Sequence, residues 1–158
     1  MKRAAKLLLC LMVCLFLLPG CRQQEEVFSC EDLSLTLPAG YMNLSAEPYA
    51  ADADFLLGRD RVIIRGITED KAALLAQNPD MTLGRYGQRM LLSNGLSCPL
   101  EQDNTFTYEA TVGDTAYTYT GIIWEGDVHY WVVQLYCPSE VFPSKQQEIL
   151  QIMDSLIS

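Results

Sequence analysis

The sequence predicts an α+β fold in which helices cover both faces of an antiparallel β-sheet. Three observations predict it. Residues 106–136 hold three runs of β-branched and aromatic residues, and the tight turns "VGDT" and "EGD" separate them, as in an antiparallel meander. The last run, residues 128–137, is apolar on both faces, which is typical of a strand inside a sheet that is covered on both sides. The apolar residues of the C-terminal segment recur at helical spacing from Ile149 to Ile157.

Residues 1–20 have the features of an export signal. Three basic residues and no acidic residue precede the uncharged run "LLLCLMVCLFLL", residues 7–18. Its length matches the apolar region of a signal peptide and falls short of the roughly 20 residues that a transmembrane helix needs. The alternative is a buried N-terminal helix in a cytosolic protein.

The signal ends in Leu18-Pro19-Gly20-Cys21, an aliphatic residue, a tolerant position, a small residue and a cysteine. This resembles the lipobox of bacterial lipoproteins. The resemblance implies cleavage between Gly20 and Cys21 and a diacylglyceryl thioether on Cys21. Because two acyl chains hold a protein stably on a bilayer, we expect a lipid anchor on the extracytoplasmic face of the cell membrane. Residues 21–26 then form the lipidated cysteine and a short tether.

The remaining residues, 27–158, have the length of one ordinary domain. Cleavage after residue 20 leaves eight basic and 20 acidic residues, a net charge of −12. Such a domain repels nucleic acid and anionic lipid head groups, so neither is an expected partner. Solubility at a surface explains the acidity, and binding of a cationic peptide or a metal ion is the alternative.

The first half of the domain is predicted to contain a strand pair and a hairpin. Leu33, Leu35 and Leu37 alternate with polar residues, which is the period of a half-buried strand. The stretch "MNLSAEPYAADA" is predicted to be irregular. The stretch "DFLLGRDRVIIRGITED" then predicts a hairpin with its turn at Gly58-Arg59-Asp60.

Two helices are predicted between the hairpin and the meander. Thr68 is the expected cap of the first, which covers "EDKAALLAQN". The second is expected to start at Thr82 and to stop at Gly95. Gly84 and Gly87 weaken this helix, and we expect them to let it pack closely on the sheet.

Two further stretches resemble a known family. "LSLTLPAGY" is similar to the opening segment of PsbP-like domains, and "QQEILQIMDSLIS" is similar to their closing helix, which Ser144 and Gln147 are expected to start as a capping box. The resemblance implies an α/β/α sandwich. That fold occurs in extrinsic subunits of the oxygen-evolving photosystem, in a Ran-binding nuclear import factor and in many bacterial lipoproteins. No catalytic residue comes with the family.

Few residues suggest chemistry. His129 is the only histidine and lies in the predicted central strand, where a hydrogen-bonded structural role is expected rather than a Ser-His-Asp or Cys-His site. Asp52 and Asp54 have the start of a calcium loop without the rest of it. We therefore predict no catalytic residue, no metal site and no cofactor.

The mature chain keeps three cysteines besides Cys21, namely Cys30, Cys98 and Cys137. They allow one disulfide at most, and the sequence does not choose the pair. Buried free thiols are the expected state, and a disulfide is the alternative outside the cytoplasm. Their spacing matches no zinc site.

The aromatic residues of the meander form a sheet core or line a ligand groove. They are Tyr108, Tyr117, Tyr119, Trp124, Tyr130, Trp131 and Tyr136. Together with the anchor, these patterns predict a non-enzymatic module that binds or scaffolds another envelope protein. An envelope hydrolase or small-molecule binder is the alternative, and a surface coat protein is a third hypothesis.

Overall fold

The computed structural model describes residues 24–47 and 50–157. The elements of this part of the chain are β1 (Glu25–Cys30), β2 (Leu33–Pro38), β3 (Met42–Asn43), β4 (Phe55–Arg59), β5 (Val62–Asp70), α1 (Lys71–Gln77), α2 (Leu83–Ser93), β6 (Thr105–Val112), β7 (Thr115–Glu125), β8 (His129–Pro138) and α3 (Phe142–Ile157). The predicted signal peptide, the cleavage site at Gly20 and the lipidation site at Cys21 lie outside the described residues.

Six strands form one antiparallel sheet in the order β3-β4-β5-β8-β7-β6. The predicted meander is confirmed as β6, β7 and β8, with turns at Gly113-Asp114 and at residues 126–128. The predicted central position of β8 is also confirmed, since β8 pairs with β5 on one side and with β7 on the other. Strands β1 and β2 form a separate antiparallel hairpin.

Helices cover both faces of the sheet, as the sequence predicts, and each face has its own core. Helix α3 and the β1–β2 hairpin pack on one face, which we call the α3 side, and α1 and α2 pack on the other, the α2 side. The α3-side core includes Leu33, Leu35, Leu37, Ile64, Trp131, Val133, Leu135, Ile149 and Ile152. The α2-side core includes Leu74, Tyr86, Leu91, Phe106, Ile123, Tyr130 and Val132. Residues of β8 alternate between the two cores, which explains why that strand is apolar on both faces.

Two predicted positions in the first half of the domain are wrong. The cap of α1 is Asp70, whose carboxylate accepts from Ala73 N at 2.7 Å, and not Thr68. Thr68 lies within β5, because that strand continues in register with β8 up to Asp70. The hairpin turn is Asp60-Arg61, and both residues have positive φ. The predicted turn residue Gly58 lies in β4, where a Cβ would stand 2.5 Å from the Leu44 side chain.

Three other boundaries differ from the predictions. Helix α3 begins at Phe142, two residues before the expected cap, and the Ser144 hydroxyl donates to Val141 O at 2.7 Å instead of forming a capping box. The stretch predicted to be irregular contains the short strand β3. Glu25 and Glu26, the end of the predicted tether, are the first residues of β1 and pair with β2.

Candidate binding surface

The α2 side of the sheet carries four partly exposed tyrosines that belong to neither core. We call Tyr108, Tyr117, Tyr119 and Tyr136 the tyrosine ladder, although Tyr108 also touches the edge of the α2-side core. Tyr108 of β6 is paired with Tyr119 of β7, and Tyr119 is paired with Tyr136 of β8. Their side chains share a face because the residues of paired strands that lie opposite each other point the same way.

The rings of the ladder stack side by side across the strands. The ring centroids of Tyr108 and Tyr119 are 4.7 Å apart with an interplanar angle of 4°. Those of Tyr119 and Tyr136 are also 4.7 Å apart, at 23°. This distance equals the spacing of neighbouring strands, about 4.7–4.9 Å. Tyr117 meets Tyr136 edge-on at 6.2 Å. Both faces of the Tyr119 ring are therefore covered by neighbouring rings, and ring edges remain exposed for contacts with a partner.

Polar groups flank the ladder. Gln134 Nε2 donates to the Tyr108 hydroxyl at 3.2 Å, and Arg65 donates through Nη2 to the Asp52 carbonyl at 3.0 Å. Burial raises the pKa of Tyr108 and of Tyr119, while the nearby Arg65 charge lowers both by a smaller amount. Both phenols therefore stay neutral at physiological pH and keep a proton to donate.

The cleft that adjoins this surface is smaller than a typical small-molecule site. A cleft of about 190 Å³ lies between α2 and the sheet, and Arg65, Phe106 and Gln134 line it. Ligand sites usually measure about 300–1,000 Å³. A wider open groove of about 480 Å³ lies on the α3 side, between β2 and the end of α3 and away from the ladder, and Thr36 N donates to Ser155 Oγ across it at 3.0 Å.

Asp32 forms a separate polar cluster on the α3 side. Its Oδ1 accepts from Trp131 Nε1 at 2.8 Å and lies 3.0 Å from His129 Nδ1. Its Oδ2 accepts from the backbone N–H groups of Val128 and His129 at 2.7 and 3.0 Å. Burial alone would raise the pKa of Asp32, but these hydrogen bonds outweigh it and hold the pKa well below its usual range. Asp32 thus ties the β1–β2 turn to the β7–β8 turn, and its hydrogen-bond pattern is structural.

Comparisons with known proteins agree with this architecture. No model of a known protein family matches the chain, and no curated protein matches it by sequence. Its structure is similar to the solution structure of cyanobacterial PsbP (CyanoP) from Synechocystis sp. PCC 6803, with a TM-score of 0.53 and 12% sequence identity. The match covers 87% of this chain and 94% of that chain. The chain has a PsbP-like fold. An identity this low shows the fold alone.

The PsbP-like domain separates the aromatic residues that the sequence grouped together. Trp131 is buried in the α3-side core, and Trp124 packs against that core from a partly exposed position. Tyr130 belongs to the α2-side core, where its ring stacks on Tyr86 at 4.9 Å. The four tyrosines of the ladder, like Trp124, stay partly exposed. The sheet-core alternative is therefore confirmed for Tyr130 and Trp131. The ladder tyrosines lie outside the buried cores, and Tyr108 lines the cleft beside α2.

The other candidate residues lie apart from the ladder. His129 is hydrogen-bonded in the central strand, as expected. Asp54 accepts from Thr68 N at 2.6 Å, and no three His, Cys, Asp or Glu side chains of residues 24–47 and 50–157 come together as metal ligands would. The sequence did not predict that Asp32 ties two turns together. Its hydrogen-bond partners are 96 to 99 residues away, and no local sequence pattern indicates them.

All three cysteines of the PsbP-like domain are free thiols. Cys137 is buried, whereas Cys30 and Cys98 are partly exposed. Cys30 and Cys137 pack on the α3-side core, and Cys98 packs on the α2-side core.

Within the described part of the chain, no helix is long and apolar enough to cross a bilayer.

Proposed function

We propose that the chain is a bacterial lipoprotein, anchored through Cys21 on the extracytoplasmic face of the cell membrane, whose PsbP-like domain binds another envelope protein without catalysing a reaction. The lipobox-like sequence before Cys21 supports the anchor. The Gln24 carbonyl already accepts from Ala39 N at 2.7 Å, so the chain enters the domain within three residues of Cys21. Three residues span at most about 11 Å. The domain would therefore lie close to the lipid head groups.

The tyrosine ladder is the observation that carries the binding role. Tyrosine is enriched at the centres of protein interfaces, because it combines a large apolar ring with a hydroxyl at a low entropy cost. A sugar would need a free ring face to stack on, and here neighbouring rings cover both faces of Tyr119 and one face each of Tyr108 and Tyr136. The net charge of −12 after cleavage favours a partner with a basic surface.

The anchor is tested by the Cys21→Ser variant, with Cys98→Ser as the control. Mass spectrometry of the wild-type protein should find an acylated N-terminal Cys21. Cys21→Ser should lose the acyl chains and leave the membrane fraction, while Cys98→Ser should remain there. An unprocessed wild-type chain recovered from the soluble fraction would refute the anchor.

The binding role is tested by cross-linking on intact cells that express the full chain. Tyr119→Ser removes the middle ring of the ladder, and Leu150→Ser changes an exposed apolar residue of α3 on the opposite face. Loss of a central aromatic contact usually weakens binding by about tenfold or more. We expect the wild type and Leu150→Ser to capture the same protein partner, and Tyr119→Ser to capture about tenfold less of it. Equal recovery with both variants would exclude the ladder as the binding surface.

A further inference from the structure

The two edges of the large sheet differ. At one edge stands β3, which has only two residues. At the other stands β6, which has eight residues and pairs, within the described part of the chain, only with β7. Its register with β7 is continuous from Thr105 to Val112 and contains no bulge. Thr107, Glu109, Thr111 and Val112 are exposed.

The hydrogen bonds of β7 show which groups of β6 face outward. Ile123 N donates to the carbonyl of Asn104 at 2.9 Å, so the even-numbered residues of β6 bond to β7 and the odd-numbered ones face away. The outward groups of Thr105 are already occupied. Its N–H donates to Asp103 Oδ1 and its carbonyl accepts from Glu101 N.

The outward N–H and C=O groups of Thr107, Glu109 and Thr111 bond to no described residue. Six backbone groups along one strand edge therefore have no hydrogen-bond partner among the described residues. Proteins usually protect such an edge with charged side chains, proline, a bulge or a short strand, because it is a template for another strand. Of these features, strand β6 has only a single charged residue, Glu109.

A second copy of the chain fits this edge poorly. An antiparallel self-pairing that uses all three open residues places Glu109 directly opposite Glu109 of the second copy, and like charges at that position are destabilising. A shift of two residues relieves this contact, but in one direction it sets the occupied Thr105 of each copy opposite Thr111 of the other. In the other direction it sets Thr107 opposite the turn residue Gly113. Each copy also carries a net charge of −12 after cleavage, which opposes association.

We propose that residues 107–111 of β6 accept an extended segment of a partner protein as a seventh strand, with a lysine or arginine opposite Glu109. Main-chain hydrogen bonds supply the affinity in this mode, and the facing side chains supply the specificity. The inference rests on the proposed binding function and specifies how the partner docks. The added strand lies beside Tyr108, so one partner can contact the edge and the tyrosine ladder together.

The test uses the purified full chain in detergent micelles and two synthetic peptides with blocked ends, Thr-Val-Thr-Lys-Thr-Val-Thr and the same peptide with a central glutamate. Amide hydrogen exchange and chemical shifts are followed by NMR at millimolar peptide. The lysine peptide should slow exchange at Thr107, Glu109 and Thr111, and should bind about fivefold more tightly than the glutamate peptide. The even-numbered amides of β6 are an internal reference, because β7 already protects them.

Two variants sharpen the test. Glu109→Lys should reverse the preference between the peptides. Thr107→Pro removes one outward donor and leaves the bonds to β7 intact, so it should weaken both peptides, whereas Thr107→Ala should not. Glu109→Lys decides the question even if the proline variant fails to fold.

Three results would overturn the inference. The first is that neither peptide protects the three amides. The second is that Glu109→Lys leaves the preference unchanged. The third is protection that grows with protein concentration in the absence of peptide, which means that a second copy occupies the edge. If cross-linking on cells still captures a partner in any of these cases, the binding function stands and only the docking mode fails.

Discussion

At the residue scale, Asp32 accepts more hydrogen bonds from residues far away in sequence than any other carboxylate of the described residues. Asp32→Asn keeps the shape but removes the charge and leaves one acceptor oxygen for four donors. Because hydrogen bonds to charged groups contribute about 1.5–3 kcal/mol, we expect the free energy of unfolding to fall by about 2 kcal/mol. Urea denaturation measures this. The control Asp127→Asn removes an exposed carboxylate of the adjacent turn and should change the value by less than about 0.5 kcal/mol.

The pH dependence of stability gives a second test of Asp32. Burial opposes ionisation, but the hydrogen bonds from Trp131, Val128 and His129 prevail, so the pKa of Asp32 in the folded state lies below its unfolded value of about 3.9. The folded state then gains stability above pH of about 4 and loses it as the pH falls toward the folded pKa. The wild type should therefore lose stability more steeply than Asp32→Asn between pH of about 4 and 2. Parallel curves would show that Asp32 has an ordinary pKa.

At the scale of elements, the two glycines of α2 play different roles. A Cβ on Gly87 would lie 2.9 Å from Ile123 Cγ1 and from Leu100 Cδ2, whereas a Cβ on Gly84 would have no neighbour within 4 Å. Alanine at a free helical position stabilises by about 0.5–1 kcal/mol relative to glycine. Gly84→Ala should therefore raise the free energy of unfolding, while Gly87→Ala should lower it by about 1 kcal/mol because the helix is pushed off the sheet. Stabilisation by both substitutions would show that Gly87 is not a contact point.

The sequence predicted the elements better than their ends. The meander, the central strand β8 and α2 were found, because each has a strong local signal: alternation and tight turns for the first two, and the Thr82 cap, whose hydroxyl accepts from Arg85 N at 3.3 Å, for α2. The errors arose where contacts with residues distant in sequence determine the end of an element. Strand β5 continues past Thr68 because its residues up to Asp70 pair with β8. Gly58 is buried in β4 because Leu44 packs over it, and no local pattern distinguishes such a glycine from a turn residue.

The candidate surface was harder to predict than the fold. Alternation places Tyr108 and Tyr119 on one face of the meander, but it does not indicate how much of that face the helices cover. Helix α2 reaches Phe106 and Ile123 and leaves the ladder beyond it partly exposed. The limit is set by the length of α2 and by the loop that follows it, and neither leaves a signal in the strand sequences. The open edge of β6 likewise depends on the order of the strands, which is a property of the whole sheet.

At the scale of the whole molecule, charge repulsion should oppose the folded state. Residues 21–158 contain 20 acidic residues and eight basic ones, and compaction of a chain with this net charge brings like charges together. Some acids are paired, as in the ion pair between Lys71 and Glu125 at 2.8 Å, but the excess has no basic counterpart. Added salt screens the long-range repulsion, since the Debye length falls to about 10 Å at 0.1 M.

Thermal unfolding at neutral pH should therefore shift upward with salt. Between about 10 and 300 mM sodium chloride we expect the Tm to rise by about 3 °C, which corresponds to about 1 kcal/mol for a domain of this size. Calorimetry measures the shift. Asp114→Asn removes one exposed acid from the β6–β7 turn and should raise the Tm at low salt and reduce its dependence on salt. A Tm that falls with salt would mean that the attractive pairs, such as Lys71 with Glu125, outweigh the repulsion, and that the acidity does not limit stability.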